Sequence, residues 1–285
     1  MQPEIISLEA WWSTPQGQRL LAWEQSQFDE AVVDLFGFNA LQLGVPECDA
    51  LQANRMPHRW LSLTHTEAGG QAAHEQEGGR ACVLVTDPAA LPFPDNSLDL
   101  LVLPHTLELS ADPHTALREV ERVLRPDGRV VLSGFNPVSL WGMRQIRAHL
   151  CGRLGLTWGG GSRLYLPRAG EFIGHWRMRD WLRLMSFEVE SARFGVYLPA
   201  VRTERWLQRF AWLDRLGARW WPILGAVYFL VAVKRVHGTR LLGPAWKPYR
   251  APSVRPASVA GRSGNALSEV VAPVSAKAPV KEQLF

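Results

Sequence analysis

Residues 81–136 read ACVLVTDPAALPFPDNSLDLLVLPHTLELSADPHTALREVERVLRPDGRVVLSGFN. The stretch contains three strand-like runs, namely Cys82–Val85, Leu98–Leu103 and Arg129–Ser133. The first two runs are continuously apolar, which is typical of strands covered on both faces in a mostly parallel sheet. An amphipathic helix precedes the third run, and Asp112 with Pro113 forms a typical helix start. The order strand, loop, strand, helix, strand predicts a right-handed crossover in a doubly wound α/β fold.

The first of these strands is followed directly by an acidic residue, Asp87. In an open α/β sheet, ligands bind in the crevice outside the carboxyl ends of the strands. The loop after Asp87 contains three prolines, which exclude a regular helix, and it has apolar anchors at Leu91 and Phe93. We therefore interpret Asp87 as a ligand contact on an ordered loop rather than as a solvated surface charge.

Six short motifs follow one another in this stretch. They are Asp87, Leu91-Pro92-Phe93, Leu98-Asp99-Leu100-Leu101, His105-Thr106-Leu107-Glu108, Asp112-Pro113 and the run from Glu119 to Gly128. In this order they resemble the core of class I S-adenosylmethionine-dependent methyltransferases, in particular the bacterial type 11 methyltransferase-domain group. The resemblance implies a Rossmann-like, seven-stranded, mostly parallel sheet with an antiparallel last strand. It also implies a methyltransferase that uses S-adenosyl-L-methionine as its cofactor.

The resemblance further implies where the cofactor would be held. Asp87 matches the carboxylate that accepts the adenine amino proton, with Pro88 and Leu91 beside it, although Pro88 has no N–H to donate to the ring. Gly44 is the first residue of the family's glycine-rich loop, which here reads Gly44-Val45-Pro46-Glu47-Cys48-Asp49 and keeps a single glycine. Glu67 is the candidate partner for the ribose hydroxyls, with a solvated loop carboxylate as the alternative.

The fourth strand and the strand after the helix also end in polar residues. His105 follows the fourth strand and is a candidate cofactor contact and general base, because an unperturbed imidazole titrates near neutral pH. Methyl transfer often needs no base, since positioning can carry much of the rate. Glu108 is predicted to brace the same loop. Asn136 and Trp141 are candidate substrate contacts.

The chain divides into three regions in this interpretation. Residues 1–37 are a helical extension with a break at residues 13–17, residues 38–241 are the methyltransferase domain with an insertion or lid at about 137–175, and residues 242–285 are a disordered tail rich in Pro, Ala and Ser. Strands are predicted at residues 39–44, 59–64, 188–197 and 226–234. The strand at residues 39–44 is expected to be central, and the last two strands are expected to pair antiparallel.

Several function classes are excluded by composition. The three cysteines, Cys48, Cys82 and Cys151, are widely spaced, which predicts neither a disulfide framework nor a metal site and suits a reducing, cytoplasmic compartment. The first residues lack the basic start and apolar run of a signal peptide. The longest apolar run, residues 220–233, has 14 residues and is too short to span a bilayer as a helix. We expect a monomer without an integral membrane segment.

Charge is distributed unevenly. Residues 1–139 carry a net charge of −11, residues 140–220 carry +8 and residues 221–285 carry +7. The basic part also contains eight tryptophans between residues 141 and 221. Such a pattern suits an anionic small-molecule acceptor or RNA, and it equally suits a solvated face over a tryptophan core. The predicted function is a methyltransferase with an unassigned acceptor; the alternative is a non-catalytic relative that binds a nucleotide-like ligand or RNA through its basic C-terminal half.

Overall fold

The computed structural model describes residues 8–64, 83–153, 166, 172–200, 203–210 and 212–235. These residues form a seven-stranded sheet in the order β3-β2-β1-β4-β5-β7-β6. The strands are β1 Asn39–Leu43, β2 His58–Leu63, β3 Val83–Val85, β4 Leu98–Pro104, β5 Leu124–Phe135, β6 Phe187–Gly195 and β7 Val227–Lys234. The helices are α1 Leu8–Trp12, α2 Pro15–Val32, α3 Thr106–Leu109, α4 Pro113–Val123, α5 Leu140–Arg153, α6 His175–Leu184, α7 Glu204–Arg209 and α8 Trp212–Trp220, followed by a 3₁₀ turn at Pro222–Leu224.

The sheet has the predicted architecture. Strands β3, β2, β1, β4 and β5 pair in parallel, whereas β7 pairs antiparallel with both β5 and β6. The predicted Rossmann-like, mostly parallel sheet with an antiparallel last strand is thereby confirmed. The prediction that the first strand is central is wrong, because β4 occupies the middle of the sheet and β1 lies beside it.

Helices cover both faces of the sheet, as the doubly wound pattern predicts. On one face α1 and α2 contribute Trp11, Leu20, Phe28 and Val32 to a core that includes inward residues of β1, β4 and β5. On the other face α4 and α6 contribute Leu117, Val120, Met178 and Leu182 to a second core. The two apolar stripes predicted from the spacing of residues in α2 and α4 are those that face the sheet.

Local signals set the helix boundaries. The side chain of Thr14 accepts a hydrogen bond from the Gly17 N–H and caps α2, whose first residue is Pro15. Asp112 caps α4 in the same way through the N–H groups of His114 and Thr115. The segment predicted as a loop around residues 104–109 contains the short helix α3 instead.

Helix α2 ends at Val32, and the chain enters β1 past Gly37, which approaches the side chain of Asp99. The Asp99 carboxylate accepts hydrogen bonds from the N–H groups of Phe38 and Asn39. Asp99 therefore fixes the entry into β1.

Some predicted features fall outside the described residues, namely Glu67, the tail at 242–285 and the parts of the insertion at 154–165 and 167–171. The long apolar run at residues 220–233 forms the end of α8, the 3₁₀ turn and most of β7. No helix among the described residues is long and apolar enough to cross a membrane.

Candidate active site at the carboxyl edge of the sheet

The strand order reverses between β1 and β4, so their carboxyl ends flank the crevice where such sheets bind ligands. Gly44 follows β1, and His105 and Thr106 follow β4. The Thr106 hydroxyl donates a 2.5 Å hydrogen bond to the carbonyl oxygen of Leu43 and joins the two strand ends. Two of the predicted site residues, Gly44 and His105, thus lie on the two sides of one switch point.

The loop after β1 turns sharply at its first two residues. Gly44 has φ 73° and Val45 has φ 43°, so two successive residues adopt left-handed backbone angles. Such angles cost little for glycine and are unusual for a β-branched residue such as valine. The loop therefore keeps a tight turn even though it carries one glycine where the resembled family carries three.

The buried side chain of Gln42 holds this loop together. Its amide nitrogen lies 2.7–3.2 Å from the carbonyl oxygens of Gly44, Val45 and Cys48. Its amide oxygen accepts a hydrogen bond from the Ala50 N–H. Gln42 was not among the predicted site residues, although a lone polar residue inside the apolar strand NALQL was a usable signal.

Asp87 lies exposed at the carboxyl end of β3, next to the exposed side chain of Val85. One carboxylate oxygen of Asp87 accepts a hydrogen bond from the Ala89 N–H at 2.9 Å, which shapes the turn. Pro88 and Leu91 are buried beneath the loop. Asp87 and Val85 thus present a hydrogen-bond acceptor beside an apolar surface, which suits the edge and face of an aromatic base.

The family-like motif on α4 holds the Asp87 loop against the sheet. Glu119 accepts a hydrogen bond from the Leu91 N–H, and Arg122 donates to the carbonyl oxygens of Leu91 and Phe93. Arg122 also pairs with Glu119 and Asp95. The Glu119-x-x-Arg122 motif is therefore structural, because it clamps the loop that carries Asp87.

His105 is buried between two carboxylates. Its Nε2 atom lies 2.9 Å from Oε1 of Glu24, and its Nδ1 atom lies 3.1 Å from Oε2 of Glu108. His105 itself has φ 51°, an uncommon backbone conformation for a residue other than glycine. Both ring nitrogens already have partners, so no nitrogen of His105 is free to accept a proton from a substrate.

Charge in this cluster shifts two pKa values. Burial lowers the pKa of His105, but the Glu24 charge and the hydrogen bonds to Glu108 and Glu24 outweigh it and raise that pKa to about 10. Burial raises the pKa of Glu108 to about 7, although the neighbouring imidazolium opposes the rise. His105 is therefore a cation near neutral pH, held in the folded state by carboxylates.

One carboxylate oxygen in the cluster, Oε2 of Glu24, is buried and has no hydrogen-bond partner among the described residues, whereas the Glu108 carboxylate is held by the Phe135 backbone N–H as well as by His105. A buried acceptor without a hydrogen-bond partner costs free energy, and a neighbouring cation lowers that cost. Glu24 was not among the predicted site residues; it stands between Leu20 and Phe28 at four-residue spacing. A carboxylate within the buried stripe of α2 was the available signal.

A cavity of about 500 Å³ opens beside the cluster and the loop after β1. Its lining comes from the N-terminal helices and from that loop, namely Trp12, Ser13, Gln18, Leu21, Ala22, Gln25 and Glu47. The ring of Trp12 lies 5.5 Å from the ring of His105. The N-terminal helices and Glu47 thus line a cavity whose wall includes none of Gly44, Asp87 and His105, and Trp12 is its link to the His105 cluster.

Asn136 and Trp141 lie at the same edge but within the protein. The Asn136 amide donates to the carbonyl oxygens of Ile223 and Gly225, and its oxygen accepts from the Val138 N–H. The indole of Trp141 is buried and donates to the carbonyl oxygen of Leu198. Their polar atoms thus bind backbone, and neither side chain is presented to a ligand in this arrangement.

Comparison with known proteins gives three consistent results. A methyltransferase domain model matches residues 50–132. An uncharacterized protein of Escherichia coli, YafS, is 31% identical over 233 residues, which cover 81% of this chain and 82% of that protein. A SAM-dependent methyltransferase from Thermotoga maritima superposes with a TM-score of 0.53 at 16% identity, covering 80% of this chain and 94% of that one.

A shorter match concerns an enzyme named for its reaction. The ubiquinone/menaquinone biosynthesis C-methyltransferase UbiE of Hahella chejuensis is 49% identical over 47 residues, or 16% of this chain and 19% of that enzyme. The identity is high within the matched segment, but the segment spans only about a fifth of the enzyme. It therefore speaks for the shared domain and not for a shared acceptor.

Proposed function

The chain belongs to the class I S-adenosylmethionine-dependent methyltransferases, and from this membership we propose that it transfers a methyl group to an acceptor admitted at the carboxyl edge of its sheet. The observation that carries the proposal is the buried cluster at the switch point. The Glu24 carboxylate is buried there, and its Oε2 atom has no partner among the described residues. Two carboxylates face the single imidazolium of His105, so the cluster keeps negative charge when Glu108 is ionised. That charge suits a cationic ligand, and S-adenosylmethionine carries a sulfonium and an ammonium group.

The remaining contacts follow from the same edge of the sheet. We assign the adenine to Asp87, with Val85 as the exposed apolar surface beside it, whereas the buried side chains of Pro88 and Leu91 support the loop. The amino-acid end is assigned to the Gly44 loop, whose backbone is held by Gln42. Glu67 stays the proposed partner of the ribose hydroxyls.

When bound, S-adenosylmethionine would supply an electrophilic methyl group, which an acceptor takes in a direct displacement. The chain's own residues bind and orient the two reactants, and they exclude water from the site. His105 is a positioning residue in this scheme, because its nitrogens hold the Glu24 and Glu108 carboxylates in place. No general base from His105 is needed where placement of the two reactants carries the rate. Asn136 and Trp141 shape the wall of the site through their backbone hydrogen bonds.

Calorimetric titration with S-adenosylmethionine and S-adenosylhomocysteine tests the proposal. Both ligands should bind, and Asp87→Ala should weaken binding by about 1–3 kcal/mol, the value of a charged hydrogen bond. Asp34→Ala is the matched control, since Asp34 is an exposed carboxylate between α2 and the start of β1. The absence of heat at millimolar ligand would overturn the proposal and favour a non-catalytic relative.

The adenine assignment can fail while the function stands. Binding that is equal in Asp87→Ala and in the unaltered protein would reject Asp87 as the adenine contact. Methyl transfer itself is then tested by incubating the protein with radiolabelled S-adenosylmethionine and cell extract and following label into product.

A further inference from the structure

Helix α8 exposes an apolar stripe to solvent. Trp212, Leu216 and Trp220 are 54%, 40% and 69% exposed, and they stand four residues apart. Residues at this spacing lie on one face of a helix. The exposed face of α8 is therefore the apolar one, which is the reverse of the usual arrangement for a surface helix.

The opposite face of α8 attaches the helix to the protein. Gly217 is buried, and it approaches the ring of Tyr197 too closely to leave space for a side chain. The Asp214 carboxylate accepts a hydrogen bond from the Tyr197 N–H at 2.8 Å. Because these contacts fix the orientation of α8, the Trp212–Leu216–Trp220 stripe points away from the core.

Arginines flank the stripe. Arg215 and Arg219 are exposed on the adjoining side of α8, and Arg205 and Arg209 are exposed on α7. None of the four forms an ion pair with another residue that the structure describes. The one acidic side chain of α8, Asp214, is engaged with Tyr197.

Further apolar groups extend the surface on either side. Trp206 on α7 is half exposed and stacks with Phe210, and Arg209 lies 5.9 Å from the Trp206 ring centre. Trp221, Ile223 and Leu224 are exposed in and before the 3₁₀ turn. We call the surface formed by α7, α8 and this turn the Trp/Arg face.

The Trp/Arg face lies at the same edge of the sheet as the candidate active site. It belongs to the connection between β6, which runs in the direction of the parallel strands, and the antiparallel β7. Asn136, which follows β5 at that edge, donates to the carbonyl oxygen of Ile223. Helix α5 begins at the same edge and exposes Met143, Ile146 and Leu150.

We propose that the Trp/Arg face docks the protein peripherally on a bilayer that contains anionic phospholipid. Tryptophan is favoured at the level of the headgroups, where its ring is apolar and its N–H is solvated. Leucine and isoleucine insert slightly deeper, and arginines pair with lipid phosphates. This docking does not depend on methyl transfer, and it turns the edge that carries the crevice toward the bilayer.

Two other occupants fit the surface less well. A second copy of the chain would bring the four arginines against four others, and like charges oppose that contact. Single-stranded RNA would use the aromatic rings and arginines, but it gives no role to Leu216, Ile223 and Leu224. The surface of an anionic bilayer offers charged headgroups to the arginines and an apolar interior to the tryptophan, leucine and isoleucine side chains.

Vesicle co-sedimentation of the full-length protein tests the proposal. The probes are vesicles of phosphatidylcholine mixed with phosphatidylglycerol and vesicles of phosphatidylcholine alone. The protein should sediment with the mixed vesicles, less so at high salt because salt screens the attraction. The double variants Trp212→Ser/Trp220→Ser and Arg215→Gln/Arg219→Gln should each lower the partition coefficient on the order of tenfold.

Matched variants at the opposite edge of the sheet serve as controls. Phe36→Ser/Phe38→Ser removes two exposed aromatic rings before β1, and Arg129→Gln/Arg235→Gln removes two ion-paired positive charges, one within β5 and one directly after β7. Both should bind vesicles as the unaltered protein does. The residues after 238 are identical in every variant, so their own charge cannot produce the expected difference.

Three results would overturn the proposal. The first is no sedimentation with mixed vesicles at low salt, and the second is equal sedimentation of the Trp/Arg-face variants and the controls. The third is binding of another occupant through the same residues. In that case the unaltered protein would not bind vesicles but would form a concentration-dependent dimer or retain a single-stranded RNA oligomer. The Trp212→Ser/Trp220→Ser variant would lose that dimer or that RNA binding.

Discussion

The Nε2 atom of His105 lies 2.9 Å from Oε1 of Glu24, although 81 positions of sequence separate the two residues. The contact joins α2 to the carboxyl end of β4, and both side chains are buried. A buried ion pair is costly to form, but breaking it by removing one partner is more costly still. The N-terminal helix is therefore an electrostatic part of the candidate site and not an appendage.

Glu24→Gln should destabilise the protein strongly. The variant keeps the size of the side chain but leaves the buried imidazolium with one carboxylate, and breaking such a pair costs about 3–5 kcal/mol. Denaturant unfolding followed by circular dichroism measures the loss. Glu30→Gln is the control, because the exposed pair of Glu30 with Arg193 should contribute nothing measurable. Equal effects of the two substitutions would contradict the importance of the buried pair.

Stability should fall as the pH rises across the titration of the cluster. The pKa of His105 is about 10 in the folded protein against 6.5 for the free side chain, so the folded state binds more protons between these values. The stabilisation that His105 contributes to the folded state is complete below pH 6.5 and is lost as the pH passes about 10. Glu108 acts in the same direction between pH 4.5 and about 7, because burial raises its pKa.

The contribution of His105 can be isolated by a variant that does not titrate. The difference in unfolding free energy between the unaltered protein and His105→Gln should shrink from pH 6.5 to pH 10. Chemical denaturation at a series of pH values measures it. A difference that stays constant over this range would show that His105 does not change its protonation there.

Gln42→Leu should loosen the loop after β1 and weaken cofactor binding. The variant leaves the carbonyl oxygens of Gly44, Val45 and Cys48 without the amide nitrogen that holds them, at a cost of about 1–3 kcal/mol. Because this loop is the proposed seat of the amino-acid end, the affinity for S-adenosylhomocysteine should fall about tenfold. Calorimetry measures the affinity.

A second buried amide provides the control for Gln42→Leu. Asn54 donates to the carbonyl oxygens of Val32 and Leu35 and accepts from the Met56 N–H, away from the crevice. Asn54→Leu should therefore cost a similar amount of stability and leave the affinity unchanged. If both variants lose affinity equally, the effect reflects general destabilisation and not the loop.

Much of the fold was predictable because its signals are local. The cap at Asp112, the apolar runs of β4 and β7, and the stripe of α4 each depend on residues within one or two turns of chain. The position of β1 beside the centre rather than at it depends on strand order, which no local pattern encodes. The antiparallel pairing of the last strand was available only through the resemblance to a family.

The candidate site was predictable only in part, for a related reason. Gly44 and Asp87 could be placed because they follow strands, and parallel strands end at one edge. Glu24 could not, because it comes from a helix that precedes the sheet in the chain. Asn136 and Trp141 lie at the predicted edge, but the backbone groups that occupy them, at Ile223, Gly225 and Leu198, belong to distant segments.

Asn136→Asp should loosen the turn that joins the candidate site to the Trp/Arg face. The Asn136 amide nitrogen lies 2.7 Å from the carbonyl oxygen of Ile223 and 3.0 Å from that of Gly225. A carboxylate there would face two acceptors without a proton to share, and the loss of these bonds costs about 1–3 kcal/mol. Amide hydrogen exchange at Leu224 and Ala226 should accelerate.

Asn39→Asp is the matched control for this last substitution. The Asn39 amide donates to the carbonyl oxygen of Ser97 at the opposite edge of the sheet, so its loss should lower stability without a local effect on the turn. The decisive observation is exchange that is faster at residues 222–226 in Asn136→Asp than in Asn39→Asp at matched stability. Equal exchange in the two variants would mean that Asn136 does not hold the turn, because both would then open only through global unfolding.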